Sequence, residues 1–393
     1  MPDYTYLIIG GGMTADAATQ GIRDVDAAGS IGLIGDDADA PYSRPPLSKA
    51  LWKGEPLESV WRGTADRRVT LHLGRRAVKL DTKRKRVTDD AGTSYGYDKL
   101  LLATGGSVRR LPVGGQDVIY FRTLGDYRRL RQAVDRGARC LVIGGGFIGS
   151  EIAAGVRMAG AEVTMIVPEA GIGARVYPAD LAEFLARYYR EKGVDVRTGA
   201  GLAAIERTKG PLAARLSGGE TISADVAVAG IGITPATSLA EQAGLEVDNG
   251  IVVGEQLRTS KPGIYAAGDV ANFENPALGR RMRVEHEDNA LSMGRCAGHN
   301  MAGQAEAYHH LPFFYSDLFD LGYEAVGDLD ARHGIVADWK EPFREGVVYY
   351  LAQGRVRGVL LWNTWGQVDA ARALIAEPGP FTASKLQGRL PVS

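Results

Sequence analysis

A strand, a glycine turn and a helix occur in succession twice in this chain, and no other feature restricts its fold as much. The first copy runs from Tyr4 through the apolar Ile9 into Gly10-Gly11-Gly12-Met13-Thr14-Ala15 and a helical stretch. The second runs from Cys140 through Ile143 into Gly144-Gly145-Gly146-Phe147-Ile148-Gly149 and the helical SEIAAGVRMAG. In each copy the first glycine (Gly10, Gly144) allows a tight turn, and the second (Gly12, Gly146) lets the backbone approach a pyrophosphate. The third small residue (Ala15, Gly149) lets helix and strand pack closely. The following helix offers unpaired N–H groups and about half a positive charge to an anion. Each copy also carries an acidic residue at the end of its next strand, Asp36 in SIGLIGDD and Glu169 in EVTMIVPE, where a ribose would be bound.

Two dinucleotide sites in one chain imply one cofactor that stays bound and one that exchanges with it. YDKLLLATGG, with Thr104 and Gly105 at the end of a buried strand, and KPGIYAAGDVANF, with Gly268 and Asp269 after another, lie on opposite sides of the second glycine motif. The first nucleotide domain is therefore split, and the second is inserted into it. Asp269 is placed to accept hydrogen bonds from a flexible polyol, such as a ribityl chain.

Composition narrows the class further. At 393 residues with 45% hydrophobic side chains, the chain fills two or three cores. Its 46 basic and 47 acidic residues leave a formal charge of −1, so no global field draws nucleic acid or an anionic membrane. The basic runs Lys83 to Arg86, Arg109-Arg110 and Arg128-Arg129 are local, the first expected to be a charged sheet edge and the second able to dock an acidic partner. Only Cys140 and Cys296 are present, which excludes a disulfide scaffold and fits a reducing compartment. With a strand beginning at Tyr4 and no bilayer-length apolar run, the expected location is cytoplasmic. His309 and His310 have no partners at ligand spacing, and no metal site is expected.

Between the two motifs stands PYSRPPLSKALW, Pro41 to Trp52. A loop that only turned the chain would use Gly, Asn or Asp; this one fixes its backbone with proline and carries two long cations. Together with GGGMTADAA, LLLATGG, GGGFIGSE and IYAAGDVA, this segment resembles the FAD-dependent pyridine nucleotide oxidoreductases with two Rossmann domains. FRTLGDYRRL, RVEHEDNALSMGRCAGHNMAG, YSDLFDLGYEAVG and GVLLWN narrow the resemblance to the ferredoxin reductase and apoptosis-inducing factor branch, over nearly the whole chain.

The resemblance implies an α/β fold of the glutathione reductase-like architecture. A split FAD domain would cover 1–113 and 236–310, an inserted NAD(P)H domain 114–235, and a C-terminal α+β domain 311–393. In disulfide reductases of the wider superfamily a CxxxxC pair faces the flavin, whereas Ser43 to Lys49 holds no cysteine, so electrons would leave the flavin directly. The resemblance puts Arg44 at the FAD diphosphate and Lys49 near flavin N5 and O4. It pairs Lys49 with Glu151, in the first turn of the second motif's helix, which would also contact the nicotinamide amide. Phe147 is either plain packing or a gate that covers the flavin and yields to nicotinamide. Asp36 would hold the FAD ribose, Ala77 the adenine through its backbone, and Arg122 the FAD. Glu285 and His286 would sit at a helix start facing N1 and O2, with proton transfer by His286 left open. Tyr315 is expected near the ring on an unspecified face, in a C-terminal module whose two strong strands offer, as an alternative, a dimer surface. Thr104, Gly105, Ile148 and Gly232 complete the cofactor set. Glu169 would accept from the adenosine ribose of NADH and repel the extra phosphate of NADPH, while Arg175 nearby offers that phosphate a partner.

The expected activity is hydride transfer from NADH, with NADPH a poorer donor, to tightly bound non-covalent FAD. Electrons then pass to an iron–sulfur protein of the ferredoxin kind or a small quinone. A monodehydroascorbate-type reductase is a second enzyme reading. The reading from another class is a redox-responsive binding protein like apoptosis-inducing factor, with slow turnover and an NADH-linked change of oligomeric state. The chain itself is expected to be a monomer or a homodimer.

Overall fold

The structure, a computed structural model, describes residues 2–207 and 210–390. Met1, where the first expected domain begins, and residues 391–393, where the last one ends, lie outside the described residues. The chain divides into two compact units. The first contains Met1–Arg44, Glu58–Ser107 and Thr234–Pro312; the second contains Pro45–Leu57, Val108–Ile233 and Phe313–Ser393.

The first unit is built on a seven-stranded sheet. Strands Val69–Leu73, Ile31–Gly35, Asp3–Ile9, Ser94–Leu102 and Ile264–Ala266 run parallel, in that order. Their near-continuous Ile, Leu and Val content is what a parallel strand covered on both faces requires, and Leu7, Ile8, Leu33 and Leu100 to Leu102 are buried. Strands Arg86–Asp89 and Ala77–Asp81 extend the sheet antiparallel. The basic run from Lys83 to Arg86 is thus the turn of this hairpin rather than a sheet edge. Asp81 accepts from the main-chain N–H groups of Lys83 and Arg84 at 3.1 and 2.9 Å, so the turn supplies its own hydrogen-bond partner.

The second unit has two main sheets. One is parallel, in the order Val194–Thr198, Val163–Val167, Cys140–Ile143, Val226–Ala229 and Val118–Tyr120. The other is antiparallel, in the order Phe313–Leu318, Leu321–Gly327, Arg355–Trp362, Glu345–Ala352 and Gly334–Glu341. A Gln-Gly turn joins Glu345–Ala352 to Arg355–Trp362, with Gln353 at φ 52° and Gly354 at φ 72°. That left-handed pair matches the twist of the strands it joins. Helix Val368–Ala376 follows as expected.

Candidate active site

In the first unit the glycine turn joins strand Asp3–Ile9 to helix Met13–Val25. Gly10 has φ +126°, and a Cβ there would fall 2.1 Å from the Ala103 carbonyl oxygen, so only glycine lets the two strand ends lie side by side. Gly12 caps the helix with no side-chain hydrogen bond, and Ala15 is buried. Among the described residues, the only side-chain atom near the place of a Gly12 Cβ is the Arg44 guanidinium, 4.0 Å away. A helix N-terminus with uncapped N–H groups, clear space over its cap residue and an arginine beside it fits a phosphate. Thr104 and Gly105 follow the neighbouring strand: Thr104 Oγ1 donates to the Ala236 carbonyl at 2.8 Å, and the Gly105 carbonyl accepts from Ala236 N–H at 3.0 Å.

Asp36 directly follows strand Ile31–Gly35 and is exposed, 3.8 Å from Arg76. Ala77 opens the strand opposite Asp89. Asp269 lies in the single turn Gly268–Val270, and its main-chain oxygen accepts from Arg283 at 3.0 Å. Arg283 also pairs with Glu285 at 2.6 Å, and its buried Nε has no hydrogen-bond partner among the described residues. His286 caps helix Glu287–Met301, which places an uncapped helix start at the expected position. Sequence reasoning missed Arg283, although it stands two residues before Glu285 in the RVEH stretch.

It also missed Asp16. This carboxylate is fully buried in helix Met13–Val25 and receives four donors: Thr64 Oγ1 at 2.5 Å, Arg67 at 2.7 Å, Arg62 Nε at 2.7 Å and Gln20 at 3.0 Å. Arg62 also donates to Ser43 Oγ at 3.1 Å, and Arg44 N–H donates to Met13 Sδ at 3.2 Å. The backbone that presents Arg44 is therefore held from both sides. A charged residue on the apolar face of a helix was the signal available in the sequence.

In the second unit, strand Cys140–Ile143 leads into helix Phe147–Met158. A Cβ on Gly149 would lie 2.0 Å from the Gly144 carbonyl oxygen, so the third glycine of the motif is needed for close packing; among the described residues nothing lies within 4 Å of one on Gly146. This second cradle, like the first, is uncapped and open. Gly232, at φ +90°, accepts from Arg109 N–H at 3.0 Å, and Ile148 is exposed. Arg110 is engaged as well, its guanidinium 4.9 Å from the Tyr120 ring centre.

Because the helix begins at Phe147, Glu151 is its fifth residue and opens the second turn rather than lying in the first. It is 2% exposed. Its Oε2 accepts from Lys49 Nζ at 2.8 Å and from Ser48 Oγ at 2.6 Å, and its Oε1 accepts from Ser316 Oγ at 2.6 Å. Lys49 Nζ lies 5.1 Å from the centre of the Tyr315 ring. Phe147 stacks at a tilt on Phe314, with centroids 5.1 Å apart. Lys49, Glu151, Phe147 and Tyr315 thus meet in one place, together with Ser48 and Ser316, whose roles the sequence did not announce.

Glu169 lies two residues past strand Val163–Val167 and pairs with Arg175 at 2.7 Å. Arg122 precedes helix Leu124–Asp135, its N–H donating to Asp126 at 3.2 Å. Both cysteines are buried, and burial pushes each thiol up to about 12, so neither offers a thiolate. Among the described residues no helix is long and apolar enough to cross a membrane.

Two open glycine cradles, each at the end of a parallel strand, are the arrangement on which dinucleotide-binding folds rest. Residues 4–294 match the pyridine nucleotide-disulphide oxidoreductase family, and the chain belongs to it. It is an oxidoreductase of a family that uses flavin and NAD(H). Residues 297–341 and 335–377 match the mitochondrion-associated C-terminal domain of apoptosis-inducing factor. The ferredoxin–NAD(+) reductase component of the anthranilate 1,2-dioxygenase system of Burkholderia cepacia is 35% identical over 382 residues, 94% of each chain. Mitochondrial apoptosis-inducing factor 1 of Dictyostelium discoideum is 32% identical over 95% of this chain and 78% of its own length. The structure of the covalent putidaredoxin reductase–putidaredoxin complex superimposes with a TM-score of 0.89, at 33% identity, over 96% of this chain and 94% of the other.

Proposed function

We propose that this protein is an FAD-dependent NADH:ferredoxin reductase. FAD, when bound, supplies the exchange between a two-electron hydride donor and a one-electron acceptor. A split domain of about 1–113 and 236–310 would hold it non-covalently. Gly10, Gly12, Ala15 and Arg44 would bind the diphosphate, and Asp36 and Ala77 the adenosine end. Thr104, Gly105, Arg122, Asp269, Glu285 and His286 would line the remainder. The second cradle, Gly144, Gly146, Ile148 and Gly149, with Glu169, Arg175 and Gly232, would take NADH in a domain of about 114–235. The segment 311–393 would form the C-terminal domain that carries Tyr315. Lys49 and Glu151 would stand at the site of hydride transfer, with Phe147 as its gate.

The observation that carries this reading is the buried Lys49–Glu151 pair: Glu151 rises from the second cradle, and Lys49 comes from a loop without cysteine. A charge pair so enclosed contributes little net stability, because desolvation offsets the Coulomb gain, and its worth is positional. Support for a ferredoxin acceptor comes from the Burkholderia relative, whose name states that use, and from the putidaredoxin complex. The test is anaerobic stopped-flow reduction by NADH followed by reoxidation with a [2Fe–2S] ferredoxin, a quinone or oxygen. Fast reoxidation by the ferredoxin alone supports the proposal; fast reoxidation only by a quinone reassigns the acceptor.

The match to the apoptosis-inducing factor C-terminal domain favours a second reading, a slow-turnover binding protein. In that case the NADH-reduced protein would persist against every acceptor, and light scattering would register a change of oligomeric state.

A further inference from the structure

Glu151 has more partners than an ion pair with Lys49 requires. Ser48 and Ser316 both lie 2.6 Å from it, one on each carboxylate oxygen, and both are buried. Ser48 Oγ has a second acceptor, the Pro45 carbonyl at 3.4 Å, but a hydroxyl has one proton and the shorter contact takes it. An ionised carboxylate only accepts, so in this geometry both serines donate and Lys49 supplies the third proton. The serines therefore bear on the charge state as well as on packing. In a dry interior a lysine–glutamate pair loses its charges by moving one proton from nitrogen to oxygen, and hydrogen bonds donated to the oxygens oppose that transfer.

The other titratable groups facing Glu151 are Tyr177, Tyr189 and Tyr323. Burial raises the pKa of all three phenols, and the negative charge of Glu151 raises them further. They stay protonated and neutral, leaving the two serines and Lys49 to set the charge of the carboxylate.

We propose that Ser48 and Ser316 are positioning residues that hold Glu151 as an anion in one rotamer and so keep Lys49 a cation at the site of hydride transfer. This rests on the reading that Lys49 stands beside the flavin. The serines reach Glu151 from segments 103 and 165 residues away along the chain, so the same contacts would serve a purely structural tie, and the test must separate the two.

Flavin-loaded parent, S48A, S316A, the double variant and S316T are compared by infrared difference spectroscopy at pH 7. The triple variant with E151Q assigns the band. The double variant should show the carbonyl stretch of a protonated carboxylic acid that is absent from the parent and from the triple variant. Each single variant should show a smaller band, and S316T, which keeps the hydroxyl, none. Stopped-flow reduction by NADH should slow roughly tenfold to a hundredfold in the double variant, the scale of losing charge-assisted hydrogen bonds. Because the proton moves within the pair, that slowing should persist from pH 6 to 8, and S316T should keep the parent rate. A folded double variant with Glu151 still ionised from pH 6 to 8 overturns the proposal. If the double variant does not fold, S48A and S316A are read in its place, and ionised Glu151 in both overturns it equally. A protonated Glu151 with an unchanged reduction rate at every pH upholds the serine assignment and removes Lys49 from the flavin.

Discussion

Under the proposed function, the choice between NADH and NADPH would turn on one ion pair, Glu169 with Arg175. Glu169 stands just past the strand that follows the second cradle, and its carboxylate, 27% exposed, is 2.7 Å from an Arg175 that is 84% exposed. A second negative charge about 4 Å from Glu169, where the extra phosphate of NADPH would lie, costs roughly 4 kcal/mol at an effective dielectric of about 20. Solvent reaches both partners, so about 1.4–3 kcal/mol is the usable part, a preference for NADH of roughly ten- to a hundredfold. Arg175 works in the other direction. An ion pair this exposed is worth at most about 1 kcal/mol, so Glu169 holds the guanidinium only weakly, and Arg175 can turn to a phosphate at small cost. Glu169→Ala removes the repulsion and releases the arginine together, and the ratio of kcat/KM for NADPH to that for NADH should rise at least tenfold. Arg175→Ala should leave NADH within about threefold and weaken NADPH further. The double variant should use the two donors with similar efficiency. Steady-state dye reduction with both donors in all four proteins measures this. An unchanged ratio in Glu169→Ala, or a parent that prefers NADPH, refutes the argument.

Other outcomes follow from the same geometry. Cys140→Ser with Cys296→Ser should lower the melting temperature, since each hydroxyl replaces a buried thiol, yet leave NADH-dependent dye reduction within a few fold; total loss in a folded double variant would show that a thiol takes part. Arg283→Met removes the link between the Asp269 main chain and Glu285, and reconstitution of the apoprotein followed by fluorescence should show flavin bound roughly tenfold more weakly, with melting of the apoprotein reporting separately on stability. Burial pulls the His299 imidazole down, but its hydrogen bonds to Glu306 and Asp24 outweigh this and raise it above the ordinary value of 6.5. The raised pKa makes its contribution full below pH 6.5 and lost as pH climbs through the folded-state value, so urea midpoints should fall over that window in the parent and not in His299→Gln.

The two cradles were legible because everything they need is local. A turn that must pass a neighbouring carbonyl, a cap residue that must leave space and a small residue that must let helix meet strand all fall within six positions, marked by glycine at each except Ala15 in the first copy. Phe147, Lys49 and Glu151 were legible only through resemblance, since no spacing rule links a loop lysine to a helix glutamate 102 residues on. Ser48 and Ser316 were not legible. A serine in a loop or a strand has no characteristic pattern, and what makes these two matter is the carboxylate they share. The helix start at Phe147 slipped by one turn for a related reason: the glycine motif supplies the cap and the helix begins inside it, so counting from the end of the motif places Glu151 too early.

Asp16 and Glu151 show how the PYSRPPLSKALW loop is built. Each is a buried carboxylate, the fourth or fifth residue of the helix that leaves a cradle, and each is saturated with donors. Asp16 binds Arg62, Thr64 and Arg67 within the first unit, and Arg62 holds Ser43 beside Arg44. Glu151 binds Ser48 and Lys49 within the second, and the chain passes from one unit to the other between Arg44 and Pro45. The two cations that the loop carries are five residues apart: the Lys49 ammonium is held by Glu151 itself, and the backbone that carries Arg44 is held through Ser43 by the network of Asp16. Pairs buried to this extent add little net stability over an apolar packing of the same volume. What they determine is position within each unit: the Asp16 network holds Ser43 beside Arg44, and Glu151 holds Lys49.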